Sequence, residues 1–200
     1  TIKSVLRRKI DDWCSTIDDQ GVKKLVQQNA IVTGGALVSL LTGEDVNDYD
    51  VYFKTKESAK VVAGYYVNKF KENPPSSFKN HPERLTDIKV LDEDDRIKVV
   101  VKSQGIAGES GTEEYQYFEG VNDPSEAEQF VEQVAKDKID ADKKDGEAKY
   151  RPVFLTTNAI TLSDKIQLVI RFYGSVDEIH ENYDYVHCTC SWEASTGDLR

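Results

Sequence analysis

The chain has 200 residues and a mass of 22.6 kDa, enough for one domain with a real core or a core fold with one large insertion, which excludes fibres and peptide hormones. Hydrophobic residues make up 38% and charged residues 31%, and no apolar run approaches the ~18 to 20 residues that cross a bilayer, so a soluble, cytoplasmic globular protein with no membrane partner is expected. Thirty-six acidic against twenty-six basic residues give a net charge of −10, which opposes general coating of nucleic acid.

Three cysteines, an odd count, favour a reducing compartment. The opening residues Thr1 to Arg8 lack the apolar core of a signal peptide, and the absence of Met points to a processed or trimmed chain.

In chain order, Val5, Leu6, Ile10, Trp13, Cys14 and Ile17 recur at helical steps and predict an amphipathic helix over 2–17. Asp18 or Asp19 can cap a second helix through Gln28, weakened by Gly21. Ala30 to Thr33 predicts a short buried strand. Gly34-Gly35 breaks it, and a helix runs from Ala36 to Thr42 with Gly43 as its C-cap. Asp48 to Phe53 alternates as a strand whose two aspartates share a face, and a helix follows over 56–70.

After the interruption at Asn73-Pro74-Pro75, strands are expected at 88–91, 97–101 and 115–118, with a turn at 92–95. A helix begins near Asn122, and its charged continuation over 136–149 reads as solvated. Apolar order returns in strands at 153–155, 160–162 and 166–170, a short helix at 176–181 and a strand at 183–188. The expected organisation is an α+β (mixed α/β) core from residues 1–73 and 151–200, a mixed sheet flanked by helices, with a mostly β insertion at 74–150 that selects an acceptor or partner.

The chemistry concentrates in Val32-Thr33-Gly34-Gly35, followed twelve residues later by Asp48-Tyr49-Asp50-Val51. Glycines at a helix start let phosphate oxygens approach its backbone N–H groups, where the helix dipole favours negative charge. Two aspartates roughly 7 Å apart on one strand face offer the hard oxygen ligands that magnesium prefers. Phosphates and metal would thus meet.

This pattern resembles the DNA polymerase beta-like nucleotidyltransferase superfamily over residues 30 to 54. The run Gly34 to Gly43 is most similar to the head of tRNA nucleotidyltransferases and bacterial poly(A) polymerases, except that Val38-Ser39 stands where those enzymes carry Arg-Asp. The segments Thr157 to Thr161, and Arg171-Phe172-Tyr173-Gly174 through Cys188, resemble nucleotidyltransferase-like proteins of tailed bacteriophages, which would place the chain in a host cytoplasm. The resemblance implies transfer of a nucleoside monophosphate from a nucleoside triphosphate such as ATP to an acceptor hydroxyl on RNA, protein or a small molecule. It implies two Mg2+ ions bridged by Asp48 and Asp50, with Asp184 as the third acid, completing the first metal site and accepting the proton. Gly34 and Gly35 would cradle phosphates, Ser39 would donate a hydrogen bond, and Asn158 would read base or sugar.

Two other functions stand beside this one. The first is an inactive nucleotidyltransferase-derived binding or structural module, such as a phage assembly component. The second is a toxin or defence element that modifies host tRNA or protein. Cys188 and Cys190, with His187 next to them, read as small buried hydrophobes rather than zinc ligands, since no second pair completes a site. His180 reads as a surface or packing residue.

Overall fold

The computed structural model describes residues 1–74, 83–86, 88–100, 148–181 and 190–200. The expected strands at 115–118 and 183–188, the helix from Asn122, most of the charged run that follows it, and Asp184, His187 and Cys188 lie outside the described residues, as does the side chain of His180.

Three helices follow from local signals at the N-terminal end. Helix α1 (Ile2–Ser15) starts where the Thr1 hydroxyl accepts from the Ser4 amide, and buries Leu6, Ile10, Trp13 and Cys14 on one stripe. Helix α2 (Gln20–Asn29) forms despite Gly21 because Asp19 Oδ1 accepts from the amides of Gly21 and Val22 at 2.9 and 3.1 Å. A good N-cap contributes about 1 kcal/mol, which offsets the ~1 kcal/mol cost of a helical glycine. After strand β1 (Ala30–Thr33), helix α3 (Gly35–Thr42) begins one residue earlier than expected and ends at Gly43 in the left-handed region, φ 75°.

Strand β2 (Tyr49–Phe53) leads to helix α4 (Lys56–Glu72), capped by the Thr55 hydroxyl accepting from the Ser58 amide. A short helix α5 (Glu83–Thr86), which has no clear periodic signal, precedes the hairpin of β3 (Lys89–Asp92) and β4 (Ile97–Val100). Strands β5 (Pro152–Leu155), β6 (Ala159–Leu162) and β7 (Ile166–Tyr173), helix α6 (Val176–Glu181) and strand β8 (Ser191–Glu193) complete the described chain. Among the described residues, no helix is long and apolar enough to cross a membrane.

The fold is α+β: a six-stranded mixed sheet in the order β5-β6-β7-β2-β1-β8, with β3 and β4 as a separate two-stranded sheet. Among the described residues, only β2 and β7 pair in parallel within the large sheet. Strand alternation gives this sheet two different faces. Val32, Val51, Phe53, Leu168, Ile170 and Trp192 belong to the main core with the buried stripes of α1, α2 and α4. The opposite face holds a small cluster of Ile31, Tyr52, Val176 and Ile179, where α6 packs.

One buried polar pair within the main core is matched as burial requires. The Trp13 indole N–H donates to the Tyr66 hydroxyl at 2.6 Å, and both rings are buried. Ile97 and Val99 of the β3–β4 hairpin join the same core, so the described start of the 74–150 segment packs against α4. Lys56 and Lys60 tie that helix to Asp92 at 2.7 and 3.0 Å.

Candidate functional site

Strand β2 presents Tyr49 and Val51 to the main core and Asp50 to the other face, as the expected alternation requires. Asp50 is half-buried, and so is Asp48, which stands one residue before the strand. Backbone pairing sets Thr33 of β1 directly beside Asp50 on one side and Gln167 of β7 on the other. Thr161 of β6 lies beside Gln167, and Ser191 of β8 beside Thr33. Ser191, Thr33, Asp50, Gln167 and Thr161 therefore form one polar row across five strands.

The Gly34-Gly35 turn comes directly to this row. Gly34 has φ +84° and ψ −146°, a conformation that L side chains rarely adopt, and a methyl group placed on it would lie 3.5 Å from Asp50 Oδ2. The 3.5 Å separation is an ordinary contact, so it is the backbone conformation that calls for glycine here, and that conformation sets the turn beside the carboxylate. Helix α3 begins at this point with no side-chain cap, which puts the positive end of its dipole at this end of the sheet. Gly35 is exposed, and a methyl there would meet nothing within 4 Å.

The remaining expected residues are distributed differently. Ser39 lies half-buried one turn into α3, and its carbonyl accepts from the Gly43 and Glu44 amides, closing the helix. Asn158 sits at the β5–β6 turn, three residues before Thr161 and hence roughly 10 Å along the strand from the polar row. Its Oδ1 accepts from the buried Arg96, so the side chain joins the β3–β4 hairpin to the sheet and is not gathered beside Asp50.

Two residues without a signal in the sequence alone also reach this end of the sheet. Gln167 reads in the sequence as one polar position in an apolar strand, and only the register sets it beside Asp50. Lys165 lies in the β6–β7 turn, where Asp164 and Lys165 both adopt positive φ, 62° and 67°, and its carbonyl accepts from the Tyr49 amide at 2.8 Å. That turn is anchored: Asp164 Oδ2 accepts from the Tyr150 amide and lies 3.0 Å from Ser163 Oγ, while Lys9 donates to the Asp164 carbonyl.

Lys9 lies between the rings of Tyr49 and Tyr150, 5.5 and 4.9 Å from their centroids. Burial lowers its pKa, opposed by Asp164 and Asp12. Burial also raises the Tyr49 and Tyr150 hydroxyls, and for Tyr150 the hydrogen bond it donates to Asp12 at 2.7 Å adds to the effect. The contacts of Lys9 and Asp12 fix the turn to α1.

Among the described residues, no group of three or more His, Cys, Asp or Glu side chains is placed to hold a metal ion. Asp48 and Asp50 supply the hard carboxylate oxygens that suit magnesium, a cation usually held by one or two carboxylates together with substrate phosphates. The donor chemistry fits such a shared site. Asp184 lies outside the described residues.

A protein-family model described as Gabija anti-defense 2 family protein matches residues 4–200, nearly the whole chain. No curated protein and no solved structure matches. The nucleotidyltransferase resemblance therefore rests on this chain's own residues.

Proposed function

The chain belongs to the Gabija anti-defense 2 family, and on that premise we propose that it opposes its target as a magnesium-dependent nucleotidyltransferase. It moves a nucleoside monophosphate from a nucleoside triphosphate to an acceptor hydroxyl on a component of the defence or a molecule the defence uses. The observation that carries this reading is the meeting of the Gly34 turn with the Asp50 carboxylate, where a methyl group on Gly34 would be in van der Waals contact with Oδ2 at 3.5 Å.

In this account Gly34 and Gly35 leave room for phosphate oxygens at the start of α3, and Asp48 and Asp50 hold the metal against the triphosphate. Magnesium, when bound, supplies Lewis-acid stabilisation of charge on the transferring phosphoryl group. The acceptor oxygen attacks the α-phosphorus in line, the bond to the bridging oxygen breaks, and pyrophosphate leaves. Asp184 is proposed as the third acid and proton acceptor, and Ser39 as a hydrogen-bond donor to the nucleotide; Asn158, proposed to read base or sugar, also accepts from Arg96.

A pyrophosphate-release assay tests the reading, run with each ribonucleoside triphosphate, with and without magnesium, and with candidate acceptors from the defence present. Magnesium-dependent release, lost in Asp48→Asn and Asp50→Asn, is the expected result. Unchanged release in both variants would contradict it. For Asp184→Asn the expectation is lost turnover with much of the nucleotide binding retained. Binding of a defence component with no nucleotide binding at all would favour an inactive module instead.

A further inference from the structure

We propose that Lys165 in the β6–β7 turn and Gln167, two residues on in β7, form the nucleotide-binding edge opposite the glycine turn: Lys165 takes a phosphate oxygen and Gln167 donates to the bound nucleotide. This rests on the reading of the Asp48 and Asp50 end as a nucleotide site and assigns residues that the motif itself does not reach.

Charge gives the first argument. A triphosphate entering beside Asp48 and Asp50, on a chain of net charge −10, meets like charge from the protein, and the metal alone leaves the complex anionic. A fixed cation at the mouth offsets this. Lys165 is exposed, and among the described residues no carboxylate pairs with it. It is held at the right end of the sheet, because its own carbonyl receives the Tyr49 amide, the peptide between Asp48 and Asp50.

Rigidity is the second argument. The turn bearing Lys165 is tied by Lys9, the Tyr150 amide and Ser163, so little backbone freedom remains to be lost on binding. Two residues on, within β7, Gln167 is half-buried and lateral to Asp50. An ionised aspartate only accepts hydrogen bonds, whereas the glutamine amide both donates and accepts. Gln167 thus adds a donor where Asp50 has none.

An independent sign of a ligand comes from the far end of the same row. Ser191 is 1% exposed, on the face shared by Thr33 and Asp50, and its hydroxyl has no hydrogen-bond partner among the described residues. A buried hydroxyl left unmatched costs free energy. A polar molecule lying along the row would match it.

Calorimetric titration of the full chain with each magnesium–ribonucleoside triphosphate tests the assignment, using Lys165→Gln, Gln167→Ala and Asp50→Asn, with circular dichroism confirming that each variant is folded. Lys165→Gln keeps a long side chain at the left-handed position. It is expected to weaken binding roughly tenfold for all four nucleotides, with the difference shrinking as salt is raised. Gln167→Ala is expected to weaken binding by a similar factor that salt leaves unchanged. Affinity within about twofold of wild type in either folded variant, with binding lost in Asp50→Asn, overturns that residue's assignment and leaves the proposed function standing. Absence of wild-type binding overturns both together.

Discussion

Val32, Val51 and Leu168 lie side by side on β1, β2 and β7, fully buried beneath the helices, while one residue along each strand Thr33, Asp50 and Gln167 lie side by side on the opposite face. The same backbone pairing produces both rows, and only the pleat separates them. The apolar row fixes the register, because a one-residue slip would turn Asp50 and Gln167 into the core and the valines out of it. Stability on one face therefore sets the spacing of polar groups on the other.

The sharpest way to break this comparison is to change each face separately. Asp50→Asn preserves shape and removes one negative charge. It should lower turnover by roughly a thousandfold, the scale of several kcal/mol of metal-mediated charge stabilisation, with the melting temperature nearly unchanged. Equal losses of turnover and stability would show that the faces are not independent.

Trp13→Ala makes the opposite change. It removes a fully buried indole and leaves the Tyr66 hydroxyl without its donor, and should cost about 3 to 5 kcal/mol by urea denaturation. The residual folded fraction should bind nucleotide normally. A loss below about 1 kcal/mol would mean that α1 is not part of the main core.

The two glycines sharpen the boundary between the faces. Gly34→Ala must hold a side chain at φ +84° with its methyl against Asp50, and should cost about 1 to 3 kcal/mol together with nucleotide affinity. Gly35→Ala has open space around it and should leave thermal stability unchanged or raise it by up to about 1 kcal/mol. Lost nucleotide affinity in that second variant would report a ligand in the space, since no described residue fills it. Equal destabilisation by both substitutions would remove the distinction.

The smallest expected effect lies away from both faces, at the ion pairs of the β3–β4 hairpin. Hydrogen bonds from Lys56 and then Lys60 hold Asp92 below the usual carboxylate range. A depressed folded pKa contributes stability above the unfolded value of about 4, which is lost as pH falls through the folded value. Asp92→Asn should therefore reduce the melting temperature slightly at neutral pH, with the difference from wild type vanishing in acid. Because these groups are exposed, salt should shrink it too. A difference that grows on acidification would contradict this origin.

Local signals carried much of the architecture. The α1 stripe, β1, the glycine turn, Gly43 and β2 are contiguous, and each follows from residues within a few positions of it. Asp50 and Gly34 could be paired from spacing because a single helix joins them. Strand β8 was not legible: Ser191-Trp192-Glu193 is three residues long and becomes a strand only by pairing with β1, some 160 positions away by the register Thr33 to Ser191. Gln167 and Lys165 were hidden for the same reason, since an amide and a lysine carry no chemical pattern until β7 is set beside β2. Asn158 had a polar side chain in a suggestive segment, but its partner Arg96 comes from a hairpin 62 residues earlier.

If the Gly34, Asp48 and Asp50 end of the sheet binds a magnesium–nucleotide complex, that binding depends on the Asp50 carboxylate. Calorimetric titration of wild type and Asp50→Asn with a ribonucleoside triphosphate, with and without magnesium, tests it most directly. The expected result is saturable, magnesium-dependent heat in wild type for at least one of the four nucleotides and none in the variant. Identical binding by both folded proteins, or no binding by wild type to any of the four, would contradict it.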